Sequence, residues 1–144
     1  MPAPSKTSDA EIVAAARRLI ESRGHAGFSM TDVASAVGVR PPSLYGRFAD
    51  RSALLTAVQV EVWRALERAL TRVPSSPDPV GTLRAQARAY RAFAKAHPGR
   101  YALIYDASAE RTDEGLRARA VAFAVTMPAF MALVGERGGT QHRD

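Results

Sequence analysis

Apolar positions along this chain recur at helical spacing rather than in alternation. Ile12, Val13, Ala16, Leu19 and Ile20 fall at i, i+1, i+4, i+7 and i+8, one face of a helix. Before them Ser8-Asp-Ala-Glu11 has the form of a capping box, and Gly24 stands where a left-handed stop belongs, so a helix is predicted over 9–23. Ser29 and Asp32 offer a second cap, and Val33, Ala34 and Val37 make a short face stopped by Gly38. Pro41 and Pro42 fit only the first turn of a following helix, predicted over 40–48. Asp50 caps the next helix, whose stripe of Leu54, Leu55, Val58, Val62, Leu66 and Leu70 ends near Arg72, with Trp63 beside it. Residues 73–81, Val-Pro-Ser-Ser-Pro-Asp-Pro-Val-Gly, read as a linker. Beyond it the spacing predicts helices over 79–97, 100–108 and 113–134, with a turn at His97-Pro98-Gly99 and a kink at Pro128. No segment alternates with period two, so the predicted fold class is all-α.

Composition narrows the class. The chain has 144 residues, enough for one ordinary domain or a small domain with a second packed on it. Apolar residues make up 47% and charged residues 24%, which is globular rather than disordered. No run approaches the roughly 18 apolar residues of a membrane span, and no apolar stretch follows Lys6, so neither a spanning helix nor a signal peptide is read. The absence of cysteine excludes disulfides, thiolate metal sites and cysteine nucleophiles. A cytoplasmic protein with no membrane partner is expected.

The formal net charge of +6 favours a polyanionic partner but does not locate the surface. Acids and bases divide evenly between the two halves of the chain. Most of the bases are arginine, suited to bidentate phosphate and guanine contacts. A GC-rich coding sequence would give the same bias.

Two short helices around Gly38-Val39-Arg40 form the pattern of a helix-turn-helix, whose first helix braces a second that enters the major groove. Val33, Ala34, Val37, Val39, Leu44 and Phe48 would hold the pair inward, leaving Arg40, Ser43, Tyr45, Arg47 and Arg51 outward. The run from Ser29 to Leu55 resembles the DNA-binding segment of the TetR family of bacterial regulators. Val33-Ala34 with Gly38-Val39, Ser43-Leu44-Tyr45 with Phe48, and Arg51 with Leu54-Leu55 stand in the family's order and spacing. A weaker similarity continues through His97-Pro98-Gly99-Arg100-Tyr101, like the start of a family C-terminal regulatory domain.

The resemblance implies a homodimeric, ligand-responsive repressor in the cytoplasm, associated with the nucleoid and bound to a palindromic operator in double-stranded DNA. It places Ser43, Gly46 and Arg47 nearest base edges, with Arg47 able to fork onto a guanine, and gives Tyr45, Ser29 or Thr31, and Arg51 phosphate contacts. Arg40 and Pro42 complete the implied DNA-facing set. Gly46 would lie mid-helix, at a cost of about 1 kcal/mol, and Arg40 replaces the small capping residue often found there. The implied organisation is a tail over 1–8, the DNA-binding domain over 9–55 with its connecting helix to 72, the 73–81 linker, a partial ligand-binding and dimerisation domain over 82–134, and a flexible tail over 135–144. Typical members continue with further long helices that this chain lacks, so the C-terminal domain is expected to be truncated.

Beyond the linker the large apolar residues concentrate. Tyr90, Phe93, His97, Tyr101, Tyr105, Phe123 and Met127 are the candidate lining of a pocket for an apolar effector, although the same spacing suits a core. Arg84, Arg88, Arg91 and Lys95 share one face of the same helix, as a solvated stripe or a second polyanion surface. The three histidines are scattered without carboxylates at ligand spacing, and no nucleophile pairs with a base, so no catalytic residue, metal site or cofactor is expected. The alternative function is a helical small-molecule carrier without specific DNA binding.

Overall fold

The computed structural model describes residues 7–106 and 111–139, and over these the fold is all-α, as predicted. The helices are α1 Asp9–Arg23, α2 Met30–Val37, α3 Pro41–Tyr45, α4 Arg51–Thr71, α5 Pro79–Ala96, α6 Pro98–Ile104, α7 Asp113–Ala124 and α8 Met127–Gly139, with one 3-10 turn at His25–Gly27. No single helix among the described residues is long and apolar enough to cross a membrane.

Side chains written into the sequence set the helix starts. Ser8 and Glu11 close a reciprocal capping box (Ser8 N–H to Glu11 Oε2 2.8 Å, Glu11 N–H to Ser8 Oγ 3.2 Å), and Ser29 and Asp32 close another on α2. Asp50 accepts from the Ala53 N–H at 2.8 Å to start α4, and Asp78 accepts from the Val80 and Gly81 N–H groups to start α5. Gly38 ends α2 at φ +74°, a left-handed conformation that a Cβ makes costly.

α4 is the spine. Leu54, Leu55, Val58, Val62, Leu66 and Leu70 are buried along it, and α7 packs along its length. Ile12, Ala15, Ala16 and Ile20 of α1, Val33 and Ala34 of α2, and Leu44 of α3 join the α4 stripe in one core that continues into Phe93, Leu103, Ile104 and Ala122. Arg17 ties α1 to α4 through Glu61 at 2.9 Å. The Gln59 amide of α4 donates to the Leu103 and Ile104 carbonyls at the end of α6, at 2.9 and 3.2 Å. α6 lies against α1 closely enough that a Cβ on Gly99 would stand 3.2 Å from the Glu21 Cα.

Several boundaries differ from those expected. The recognition helix expected over 40–48 is α3, Pro41–Tyr45, and Gly46 is its C-cap rather than a mid-helix residue, so the helix-interior penalty does not apply. The proline-rich segment is helical from Pro79, whose fixed φ suits a first turn, and the remaining loop joins α4 and α5, which pack on each other. The helix expected over 100–108 is α6, Pro98–Ile104, beginning at its proline for the same reason. The single kinked helix over 113–134 is instead α7 and α8, bent by 49°. The break precedes Pro128, which has no N–H for the Ala124 carbonyl and lies in the first turn of α8. The tail expected from 135 is helical as far as Gly139, and its remainder lies outside the described residues, as does most of the expected N-terminal tail.

Candidate nucleic-acid interface and regulatory cavity

The α2–turn–α3 unit is built around a buried pivot. Gly38 and Val39 return their N–H groups to the Ser35 and Ala34 carbonyls (3.2 and 3.0 Å), turning the chain back on itself. Pro41 and Pro42 then open α3 at its N-terminal positions. Leu44 is fully buried against the core, with Val39 and Phe48 partly buried at either side. Sinking Leu44 turns the opposite side of this short helix outward, so Arg40, Pro42, Ser43, Tyr45 and Gly46 are all exposed. Tyr45 presents half of its surface to solvent.

The two arginines expected outward beside this face are turned inward. Arg47 donates to the Thr7 carbonyl and pairs with Asp9 at 3.2 Å, which ties the start of α1 to the end of the recognition helix. Arg51 donates to the Phe28 carbonyl at 3.0 Å and lies over the Phe28 ring, 4.4 Å from its centroid. Both are only partly exposed, and both brace the domain. Arg40 is exposed and makes no ion pair to a described residue. At the start of α2, the Ser29 hydroxyl accepts from the Asp32 N–H (3.1 Å) and donates to its carboxylate (2.9 Å), while Thr31 is exposed. Thr31, Arg40, Pro42, Ser43, Tyr45 and Gly46 thus form one outward surface, with Arg47, Arg51 and Ser29 as its scaffold.

The residues expected to line an effector pocket divide into three groups. Tyr90 and Phe123 line an apolar cavity of about 400 Å³ between α4, α5 and α7. Tyr105 lines a separate cavity of about 310 Å³ with Gln59, Trp63 and Arg119. Phe93 is buried against the His97 ring (5.5 Å), His97 joins α5 to α6, and Tyr101 stacks edge-on with Tyr90 and Tyr105. Met127 is exposed on α8. The Tyr90 and Tyr105 hydroxyls share a hydrogen bond of 2.7 Å. Burial pushes the Tyr90 phenol well above its ordinary pKa, and its hydrogen bonds with Tyr105 and Tyr101 add to the shift. Arg84, Arg88, Arg91 and Lys95 are exposed on α5 without an ion pair to a described residue. Among the described residues no cluster of His, Asp and Glu could hold a metal ion.

Two residues of this region were not singled out by the sequence. Gln86 is a buried polar residue of the 400 Å³ cavity, and Trp63 stacks on Phe123 at 5.6 Å. The signal for Gln86 was available, because it falls on the same face of α5 as Leu83 and Tyr90.

Comparison with known proteins matches this architecture. The model of the bacterial regulatory proteins, tetR family, matches residues 12–58, and a tetracyclin repressor-like C-terminal domain model matches residues 83–142. An uncharacterised HTH-type transcriptional regulator of Mycobacterium tuberculosis is 31% identical over 98 residues, 68% of this chain and 45% of that protein. The chain therefore spans less than half the length of that relative. Among solved structures, a protein of unknown function from Rhodococcus sp. RHA1 superposes with a TM-score of 0.78 at 24% identity, covering 94% of this chain and 72% of that one. The TetR family transcriptional regulator PfmR from Thermus thermophilus gives 0.68 at 19% identity, covering 96% and 77%. A TetR variant from Acinetobacter baumannii AYE, solved in complex with minocycline, gives 0.59 at 17%, covering 96% and 86%. These structural likenesses concern the fold.

Proposed function

The chain belongs to the TetR family of bacterial regulatory proteins, and on that footing we propose that it is a sequence-specific DNA-binding regulator acting as a ligand-responsive repressor. The observation that carries this reading is the α3 face, held outward by the buried Leu44 and exposed at Arg40, Ser43 and Tyr45. Ser43 and Gly46 lie nearest base edges, Arg40 meets a phosphate or a base edge, and the Tyr45 and Thr31 hydroxyls donate to phosphate. Arg47, Arg51 and Ser29 hold these groups in place. The site of action is chromosomal DNA in the cytoplasm.

The protein works as a homodimer through α8. Met127, Phe130, Met131 and Val134 recur at i, i+3, i+4 and i+7 and are about half exposed, while small residues, Ala129 and Ala132, border the α5 side. An ordinary surface helix is apolar toward its own core, so this reversal favours a second copy as the covering surface. The apolar cavity favours a second reading, a small-molecule carrier.

Selection of fragmented genomic DNA by the purified protein at about 0.15 M salt separates the readings, because non-specific binding is weak there. Enrichment of a palindrome is expected, with half-sites about one helical turn or a multiple apart. No enrichment of any sequence overturns the regulator and leaves the carrier.

A further inference from the structure

We propose that the cavity between α4, α5 and α7 takes a neutral, mainly apolar molecule carrying a hydrogen-bond donor, and that the donor is received by the Gln86 side-chain oxygen. The proposal rests on the ligand-responsive reading and gives that ligand a chemical class. Leu70, Leu83, Gln86, Tyr90, Phe123 and Thr126 line the space, and none of its lining residues carries a charge. At about 400 Å³ it is within the range of small-molecule sites. An anion or cation entering it would lose its hydration without gaining a counter-charge, so charged ligands are disfavoured. Tyr90 offers no anionic partner either, since its phenol stays protonated at neutral pH.

The polar requirement comes from Gln86. Its side chain is 6% exposed, and its amide Nε2 donates to the Val125 carbonyl at 3.3 Å in the break between α7 and α8. That bond fixes which end of the amide is the acceptor. The Oε1 atom is buried with no hydrogen-bond partner. Buried acceptors are ordinarily satisfied, so one left open beside an apolar cavity marks a place for a donor. Gln86 also borders a second cavity of about 290 Å³ beside α8, and its carbonyl stands in the wall between the two spaces. Thr126 does not supply the donor, because its hydroxyl is committed to the Phe123 carbonyl at 2.8 Å.

Trp63 stacks on Phe123, so the chain's single tryptophan reports on the cavity wall. The test titrates the full chain, by Trp63 fluorescence, with 1-octanol, its isomer heptyl methyl ether, and octanoate at neutral pH. The alcohol has a donor, the ether has none, and the carboxylate is charged. Octanol is expected to bind about tenfold tighter than the ether, the scale of one neutral hydrogen bond, and octanoate more weakly than both. In Gln86→Leu, and in Gln86→Met should leucine not fold, alcohol and ether should bind alike while ether affinity is kept. Equal affinity in the native chain, a preference that survives both substitutions, tighter octanoate, or no binding at all would each overturn the proposal. DNA binding measured with and without octanol keeps the two readings apart. A Gln86-dependent preference with unchanged DNA affinity leaves the ligand class standing and removes ligand response.

Discussion

Arg47 shows how far a helical wheel can mislead about one side chain. Its position beyond Leu44 places it outward, where a guanine fork is a natural expectation, yet its guanidinium is engaged by the Thr7 carbonyl and Asp9. The partners lie about forty residues away in sequence, so no local pattern could announce them. Arg47→Ala is expected to lower unfolding stability by a few tenths to about 1 kcal/mol, because Asp9 is exposed and screened by solvent. The same variant should weaken binding to all DNA sequences by similar factors. A selection experiment showing relaxed preference at a single base pair would restore Arg47 as a base reader. Tyr90 yields a second residue-scale prediction. Its native phenol resists ionisation, whereas in the unfolded chain it titrates near its ordinary value of 10.0. A raised native pKa contributes stability that is fully present below that value and is lost as pH rises above it. Tyr90→Phe should therefore flatten the fall in stability above pH 10, measured by denaturant unfolding across that range.

Elements whose limits are set by neighbours in sequence were legible, and those set by packing were not. α1, α2 and α4 start at their capping residues because Ser8, Ser29 and Asp50 each satisfy N–H groups three residues on. α3 was expected too long because Arg47 and Phe48 continue its turn-like hydrogen bonds to Leu44 without continuing the helix. The α7–α8 break was foreseen through Pro128 but placed too late, since a proline disturbs the turn before it. Gly38 gives the element-scale prediction. At φ +74° a Cβ is strained even though open space surrounds it, so Gly38→Ala should cost about 1–2 kcal/mol of stability without any clash. Urea unfolding measures it, and an unchanged midpoint would mean that the turn relaxes to another conformation.

At the scale of the whole molecule, one core runs from the helix-turn-helix through α4 to α7, so the DNA-facing and cavity-lining elements share a spine. Leu70 at the cavity end of α4 and Arg51 at its start belong to the same helix. The uncovered face of α8 gives the prediction that belongs here. Phe130→Asp with Met131→Glu should convert the dimer to a monomer in light scattering coupled to size exclusion, while leaving the monomer's helix content unchanged. Palindrome binding should fall with it, and single half-sites should still be selected weakly at low salt. A wild-type chain that is monomeric at high concentration would remove the dimer reading outright.

Periodicity, caps and prolines were enough to specify an all-α chain, most helix starts and the segment that resembles a DNA-reading module, because each depends on residues within a turn or two of one another. Which groups lie free was another matter. Folding turned Arg47 and Arg51 inward and left Arg40 out, buried the Gln86 amide with one oxygen open, and faced the bulky side of α8 away from its own core. Each of these outcomes depends on what a side chain meets across the molecule, and those neighbours are brought together only when the helices pack.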